Sequence, residues 1–328
     1  MPLTLRLDPW TPSYESALQV EEEDAGGVPN VKHFVETDDW RVIEPTPPEP
    51  FPESVFFIDG VRRIDTGVVD EADGGIAYGL LGSFAAGATV HRGGRAEIYR
   101  ELIERRVVLG AGREQDPIRV PAGSVTLHYE PSSTPENSRS KVVAEIQVLM
   151  RKLEGDLGRE IAQQAALTFV DGPLTYLLPL EEPILGYVKT HSRYYVGPDL
   201  MPVLNALTTG TRTPVFQFGS EGVGRYSWYT RVGPRRALDY SMAGVVRVEI
   251  SSTVGAQTAA RYADLSTAIL PRFATTAAWD PRAPQNLYPV SALESRLHQR
   301  MGDREFVRRS IAVHFQRLMS DGSVGEAA

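Results

Sequence analysis

Two short apolar runs, each closed by an Asp-Gly pair, constrain this chain more than any other feature. They are Val55-Phe-Phe-Ile58 before Asp59-Gly60 and Leu167-Thr-Phe-Val170 before Asp171-Gly172. Four consecutive apolar residues bounded by turn formers predict a strand buried on both faces. Taken singly, each Asp-Gly pair reads as a tight reversal. Taken together, they predict two adjacent strands of one sheet whose tips bring two carboxylates into one cleft. Between them a long helix is expected from about Ser138 to Leu167. Its apolar stripe is Val142, Ile146, Leu149, Leu153, Leu157, Ile161 and Ala165, with Ser138 or Asn137 as cap and Gly155 and Gly158 weakening the middle.

Further strands are expected at 76–90, 124–129, 184–189, 226–232 and 245–251, and helices near 198–208, 257–270 and 289–318. The stretch 96–109 is ambiguous, its β-branched end favouring strand. Several strands, a helix and another strand predict an α/β or α+β sheet with the helix packed on it.

Charge divides the chain. Residues 1–54 hold 12 acidic and 3 basic side chains, which leaves 30 acidic and 31 basic in 55–328. With the run Glu21-Glu22-Glu23-Asp24 and the prolines of 45–52, residues 1–53 read as an acidic, proline-rich leader, extended or partly disordered. A regular fold is expected to start near Ser54, run to about residue 318, and end in a short tail, 319–328. The absence of cysteine excludes disulfides and thiolate zinc sites and suits a reducing compartment. No secretory signal or apolar run of membrane-spanning length is visible, so a soluble cytoplasmic protein is expected.

Two carboxylates at neighbouring strand tips suit phosphodiester hydrolysis, because hard Mg²⁺ or Mn²⁺ ions take carboxylate oxygens. A third should come from the helix. Glu145, in the second turn beside Val142 and Leu149, fits best; Glu154, farther along and pointing away from the stripe, is the alternative. Two glycine-rich segments fail as nucleotide loops. Leu109-Gly-Ala-Gly112 runs on to Gln115 where a dinucleotide motif has glycine, and Gly219–Gly224 lacks the Gly-Lys-Ser/Thr of a phosphate loop.

The order FFIDG, long helix with an inner Glu, TFVDGPL resembles the NurA nucleases. Gly186-Tyr-Val-Lys-Thr-His-Ser-Arg193 resembles that family's lysine-bearing strand. Leu287-Tyr-Pro-Val-Ser-Ala-Leu-Glu-Ser-Arg-Leu-His298 resembles its late Tyr-Pro…His segment, and Tyr229-Thr-Arg231 and Val246–Ile250 resemble the strands between. The resemblance spans about residues 54–318. It implies an RNase H-like mixed sheet with flanking helices and a helical C-terminal region. It also implies that Asp59, Glu145 and Asp171 hold Mn²⁺ or Mg²⁺, that Lys189 neutralises phosphate or orients water, and that His298 is a ligand, proton donor or phosphate contact. Arg62, Arg193 and Arg231 are the arginines expected on DNA. The family further implies a homodimer, 5′-to-3′ exonuclease and single-strand endonuclease action, and a HerA-type hexameric ATPase as partner in end resection during double-strand-break repair. Two other classes fit the residues: a catalytically weak adaptor that docks the ATPase, and an unrelated α/β enzyme whose Asp-Gly pairs are turns.

Overall fold

The computed structural model describes residues 5–8, 30–47, 50–165, 167–178, 180–191, 193–219, 224–236 and 239–324. Their strands are β1 (Leu5–Asp8), β2 (Val31–Lys32), β3 (Ser54–Asp70), β4 (Ala77–Arg92), β5 (Arg95–Leu109), β6 (Ile118–Ala122), β7 (Val125–Ser133), β8 (Leu167–Asp171), β9 (Ile184–Val188), β10 (Phe216–Phe218), β11 (Arg225–Arg231) and β12 (Val245–Ser251). The helices are α1 (Arg139–Ala162), α2 (Met201–Asn205), α3 (Ala256–Ile269), α4 (Tyr288–Arg300) and α5 (Arg304–Val324).

The strands form one mixed sheet in the order β2-β10-β11-β12-β9-β8-β3-β4-β5-β7-β6, with β1 added to β3. At its centre β3, β4 and β5 form an antiparallel meander, while β8 lies parallel to β3 and β9 parallel to β8. The order β5-β4-β3-β8-β9 with those directions is that of an RNase H-like core. The two runs predicted to be adjacent strands pair in register, Val55 with Leu167, Phe56 with Thr168, Phe57 with Phe169 and Ile58 with Val170. A parallel pair needs a long crossover, and α1 supplies it.

Both faces of this centre are covered, which is why its strands read as unbroken apolar runs. Phe56, Ile58 and Val170 pack against Leu157 and Ile161 of α1. Phe57 and Phe169 stack on the opposite face with Ala259, Ala263 and Ile269 of α3. Farther along that face, Leu293 and Leu297 of α4 cover Val61 and Ala85. Val307, Ile311 and Phe315 of α5 close the end of the sheet near β6.

Four expectations change. First, β3 does not end at Asp59-Gly60 but runs on to Asp70, with Gly60 paired to Ala86. The long antiparallel partner β4 sustains the strand, so this Asp-Gly pair is no turn. Second, the ambiguous stretch 96–109 is strand, held by that same β4. Third, α1 stops at Ala162, short of Leu167, and the helix expected over 289–318 breaks at Gly302, whose φ of 87° divides α4 from α5. Fourth, the regular fold begins before Ser54. Leu5–Asp8 pairs with Gly67–Asp70 of β3, and Val31–Lys32 pairs with β10. Glu36 meets the buried Arg212, Oε1 taking Nη2 at 2.7 Å and Oε2 taking Nη1 at 2.8 Å. A guanidinium 1% exposed needs such partners. The acidic run Glu21–Asp24 and residues 220–223 of the glycine-rich segment lie outside the described residues. No helix among those described is long and apolar enough to cross a membrane.

The Glu36 contact makes the leader part of the folding unit. Breaking a buried pair costs roughly 3–5 kcal/mol, and Asp264 keeps one contact with Arg212 at 2.7 Å. Glu36→Ala should therefore lower stability by roughly 2–3 kcal/mol in urea unfolding; a loss under about 0.5 kcal/mol, the scatter of surface substitutions, would show the leader to be an appendage.

Candidate active site

The register of β3, β8 and β9 carries three side chains to one face of the sheet. Asp59 and Asp171 each stand one position beyond the last registered pair, Ile58 with Val170. Asp171 is opposite Tyr187 of β9, two positions before Lys189. Alternation turns Asp59, Asp171 and Lys189 to the side on which Phe57, Phe169 and Tyr187 are packed. The site thus forms where β8 and β9 end while β3 continues, a crevice at the carboxyl ends of parallel strands.

Glu154 enters from the other face. It lies on α1 among the residues buried against the sheet, Met150, Gly155, Leu157 and Gly158, and is itself fully buried. Gly60 is what lets it approach. A Cβ there would collide with Glu154 Oε1 and stand 2.9 Å from Met150 Cγ. Arg151 Nη1 donates to Glu154 Oε2 at 2.8 Å and to the main-chain oxygen of Asp171 at 2.6 Å, tying the helix to the end of β8.

Electrostatics follow from burial. The Asp59 carboxyl is held well above the usual carboxylate range, first by burial, then by the Asp171 charge. Lys189 Nζ stands 2.6 Å from Asp171 Oδ2 and donates to Asn286 Oδ1 at 3.1 Å. Burial alone would lower the pKa of Lys189, but the carboxylates of Asp171 and Asp59 outweigh it and hold the pKa above its ordinary value. Asn286 Nδ2 in turn donates to Asp280 Oδ2 at 2.5 Å. Burial would raise the Asp280 carboxyl, yet bonds from Asn286 and Arg282 bring it down to about 2.

Beside the carboxylates opens a cleft of about 430 Å³, lined by Gly60, Arg62, Gln147, Glu294, His298 and Arg304 among others. Arg62 is half-buried, with Nε donating to Gln147. His298 is exposed in the last turn of α4. Arg193 is half-buried in the loop after β9.

Two expected residues lie elsewhere. Glu145 is half-buried and accepts from Ser132 Oγ of β7 at 3.2 Å, outside the carboxylate cluster. The buried stripe of α1 follows Ile146, Met150, Glu154, Leu157 and Ile161, while Leu149 and Leu153 are only partly covered. The stripe is therefore rotated from the one expected, and it selects Glu154. Gly155 and Gly158 are the sequence signal for this face: a Cβ at Gly155 would collide with Leu177. Arg231 is buried with its guanidinium spent on main-chain carbonyls, Nε on Leu207 and Nη2 on Ser241 at 2.7 Å each and Nη1 on Ala243, so it faces no solvent cleft.

The carboxylates offer the donor type that a divalent cation takes. Asp59, Asp171 and Glu154 are hard oxygen donors, and Asp171 Oδ1 is buried without a hydrogen-bond partner. Among the described residues no three His, Cys, Asp or Glu side chains stand together so that they could hold a metal ion as they are placed. The Lys189 ammonium lies against Asp171 and supplies part of the compensating charge.

The NurA domain family matches residues 53–299. Among solved structures the chain is similar to the NurA nuclease from Sulfolobus solfataricus, at 13% identity and a TM-score of 0.47 over 86% of this chain and 88% of that one. No curated protein matches the chain.

Crowding carboxylates in a buried site destabilises the metal-free fold, and an isosteric amide relieves it. Asn at position 59 can still accept the Gly60 N–H that Asp59 Oδ1 takes at 2.8 Å. Asp59→Asn should therefore stabilise the metal-free protein at neutral pH by on the order of 1 kcal/mol. Chemical unfolding in chelator checks this; a destabilised variant would mean that the Asp59 charge is fully compensated by Lys189.

Proposed function

Because the chain belongs to the NurA family of nucleases, we propose that it is a Mn²⁺- or Mg²⁺-dependent deoxyribonuclease in which Asp59, Asp171 and Glu154 hold the metal. The observation that carries this reading is the parallel register that sets Asp59 beside Asp171, with Lys189 Nζ 2.6 Å from Asp171 and Glu154 admitted over Gly60. A cation bound there would stabilise the attacking and leaving oxygens of phosphodiester hydrolysis.

The side chains divide the remaining work. Lys189 places a fixed positive charge beside the carboxylates, where it can neutralise a phosphate oxygen or orient water; low surrounding polarity strengthens it. Arg62 and His298, facing one cleft with Arg304, receive the backbone phosphates on either side of the cleaved bond. His298, exposed at the rim, would give a proton to the leaving oxygen. Arg193 extends the contact from the loop after β9.

On this reading the protein acts in the cytoplasm as a homodimer, with 5′-to-3′ exonuclease and single-strand endonuclease activity. The chain carries no recognisable nucleotide loop, so the energy to feed duplex ends into the cleft comes from a HerA-type hexameric ATPase, in end resection during double-strand-break repair.

Asp59→Ala, Asp171→Ala and Glu154→Gln should each lower Mn²⁺-dependent cleavage of a labelled oligonucleotide by roughly 100-fold or more, since a catalytic cation is worth several kcal/mol. Glu145→Ala should stay within about threefold of wild type, as for a residue outside the site, and chelator should abolish cleavage. Wild-type cleavage by Asp59→Ala would refute this site, whereas a wild-type protein with no metal-dependent cleavage would leave the adaptor as the surviving function.

A further inference from the structure

Lys189 is gripped at both ends by two consecutive residues that precede α4. Gln285 Nε2 donates to the main-chain oxygen of Lys189 at 2.8 Å, and Asn286 Oδ1 accepts from its ammonium at 3.1 Å. Tyr187, two residues before Lys189 on β9, donates its hydroxyl to the Gln285 carbonyl at 2.7 Å. Asn286 is fully buried, and its own backbone is tied: its N–H donates to the Arg282 carbonyl at 3.2 Å, and its carbonyl accepts from the Thr275 N–H at 2.9 Å.

The amide has one workable orientation. Asp280, ionised, can only accept, so Asn286 must turn its NH₂ there, which leaves Oδ1 for an ammonium that can only donate. Asp280 is fixed in turn by the N–H of Arg282 at 2.8 Å and the Ser291 hydroxyl at 3.3 Å. The series Asp280, Asn286, Lys189, Asp171 thus alternates acceptor and donor from the α4 side of the molecule to the end of β8.

We propose that Asn286, oriented by Asp280, is a positioning residue that holds the Lys189 ammonium against Asp171. Its catalytic consequence rests on the nuclease reading above; the placement of the lysine does not. Without Asn286 the ammonium keeps one carboxylate partner and gains rotamer freedom, so its charge is spread over several positions. Because the fold of the 275–286 segment depends on backbone bonds, loss of the side chain should disturb Lys189 more than the scaffold.

The chain contains four lysines, Lys32, Lys141, Lys152 and Lys189. Labelling lysine with ¹³C at Cε and ¹⁵N at Nζ therefore gives a spectrum simple enough to assign with Lys189→Ala. In the full-length protein, Asn286→Leu should move the Lys189 signal and leave the other three in place. Asp280→Asn, which keeps size and shape but no longer dictates the amide orientation, should move the same signal and guards against a misfolded leucine variant. A Lys189 signal unmoved in both folded variants overturns the proposal, whatever the protein cleaves.

Activity supplies the second arm. Asn286→Leu should lower kcat at least about tenfold with KM within about twofold, and should change kcat by less than about twofold in a Lys189→Ala background. Equal losses in both backgrounds would show that Asn286 does not act through Lys189. If wild type cleaves no DNA, the nuclease reading fails while the spectra still decide the positioning role.

Discussion

The parallel pairing of β3 with β8 is the constraint from which the rest of this molecule follows. It is stabilised by apolar contact on both faces, Phe57 stacked on Phe169 on one side and Phe56, Ile58 and Val170 against α1 on the other. A one-residue slip would turn every side chain of β8 to the opposite face, setting Val170 where Phe169 stacks and carrying Asp171 away from Asp59. The apolar residues thus fix the register, and the register fixes the spacing of the carboxylates. The same burial that fixes them makes their charges costly, which accounts for the cations nearby: Lys189 on Asp171 and Arg151 on Glu154.

A second set of buried charges anchors the backbone around the site. Glu249 of β12, fully buried, accepts from the Leu174 N–H at 2.6 Å, from Arg225 at 3.1 Å and from Arg247 at 2.5 Å. Leu174 opens the turn that follows Asp171, so this carboxylate ties that turn to β12. Buried ionic sets of this kind are often no more stabilising than apolar residues of equal volume. What Glu249 provides is direction, since only an acceptor can hold an N–H and two guanidinium groups at once. Gly172 donates to the Tyr187 carbonyl at 2.9 Å and completes the turn. Its φ of 98° suits glycine, and a Cβ there would stand 2.6 Å from Arg151.

The strands were legible because doubly buried strands leave unbroken apolar runs, and the order of the runs carried the topology. The positions of Asp59 and Asp171 were legible for the same reason, lying at the ends of such runs, whereas Lys189 was singled out only by the family resemblance. Glu154 was misjudged because helical periodicity was read from leucines. Leu149 and Leu153 are long enough to remain half-exposed, whereas Met150, Gly155 and Gly158 mark the face that touches the sheet. Helical glycines beside a glutamate were the stronger signal, since close approach of backbones is what a missing Cβ permits. The continuation of β3 past Gly60 was hidden by a local rule. Asp-Gly favours reversal only when no partner strand extends the ladder, and β4 does extend it. Asn286 gave no signal at all, because its role depends on a contact with Lys189, 97 positions earlier in the chain. The leader was read from composition as extended or partly disordered, yet Glu36 is the counter-charge of a guanidinium buried in the core.

This buried bookkeeping also bears on how a nearly neutral body can meet a polyanion. Arg63, Arg212, Arg225, Arg231 and Arg247 are all buried, so a count of basic residues overstates the charge offered to phosphate. Asp59, Asp65, Asp70, Glu154, Glu249 and Asp280 are withdrawn as well, so removing the interior from the count leaves the balance nearly level. Attraction must then arise from placement, because within a Debye length, about 8–10 Å, a few local cations outweigh the distant remainder. Arg62, Arg304 and His298 share the cleft beside Gly60 with Glu294 as their acidic neighbour. Glu294 already receives Arg282 at 2.9 Å, which partly offsets its repulsion of an entering phosphate. Arg282 also holds Asp280, the residue that orients Asn286. Glu294 on the rim of the cleft and the support of Lys189 are therefore joined in one polar series, Glu294, Arg282, Asp280, Asn286 and Lys189.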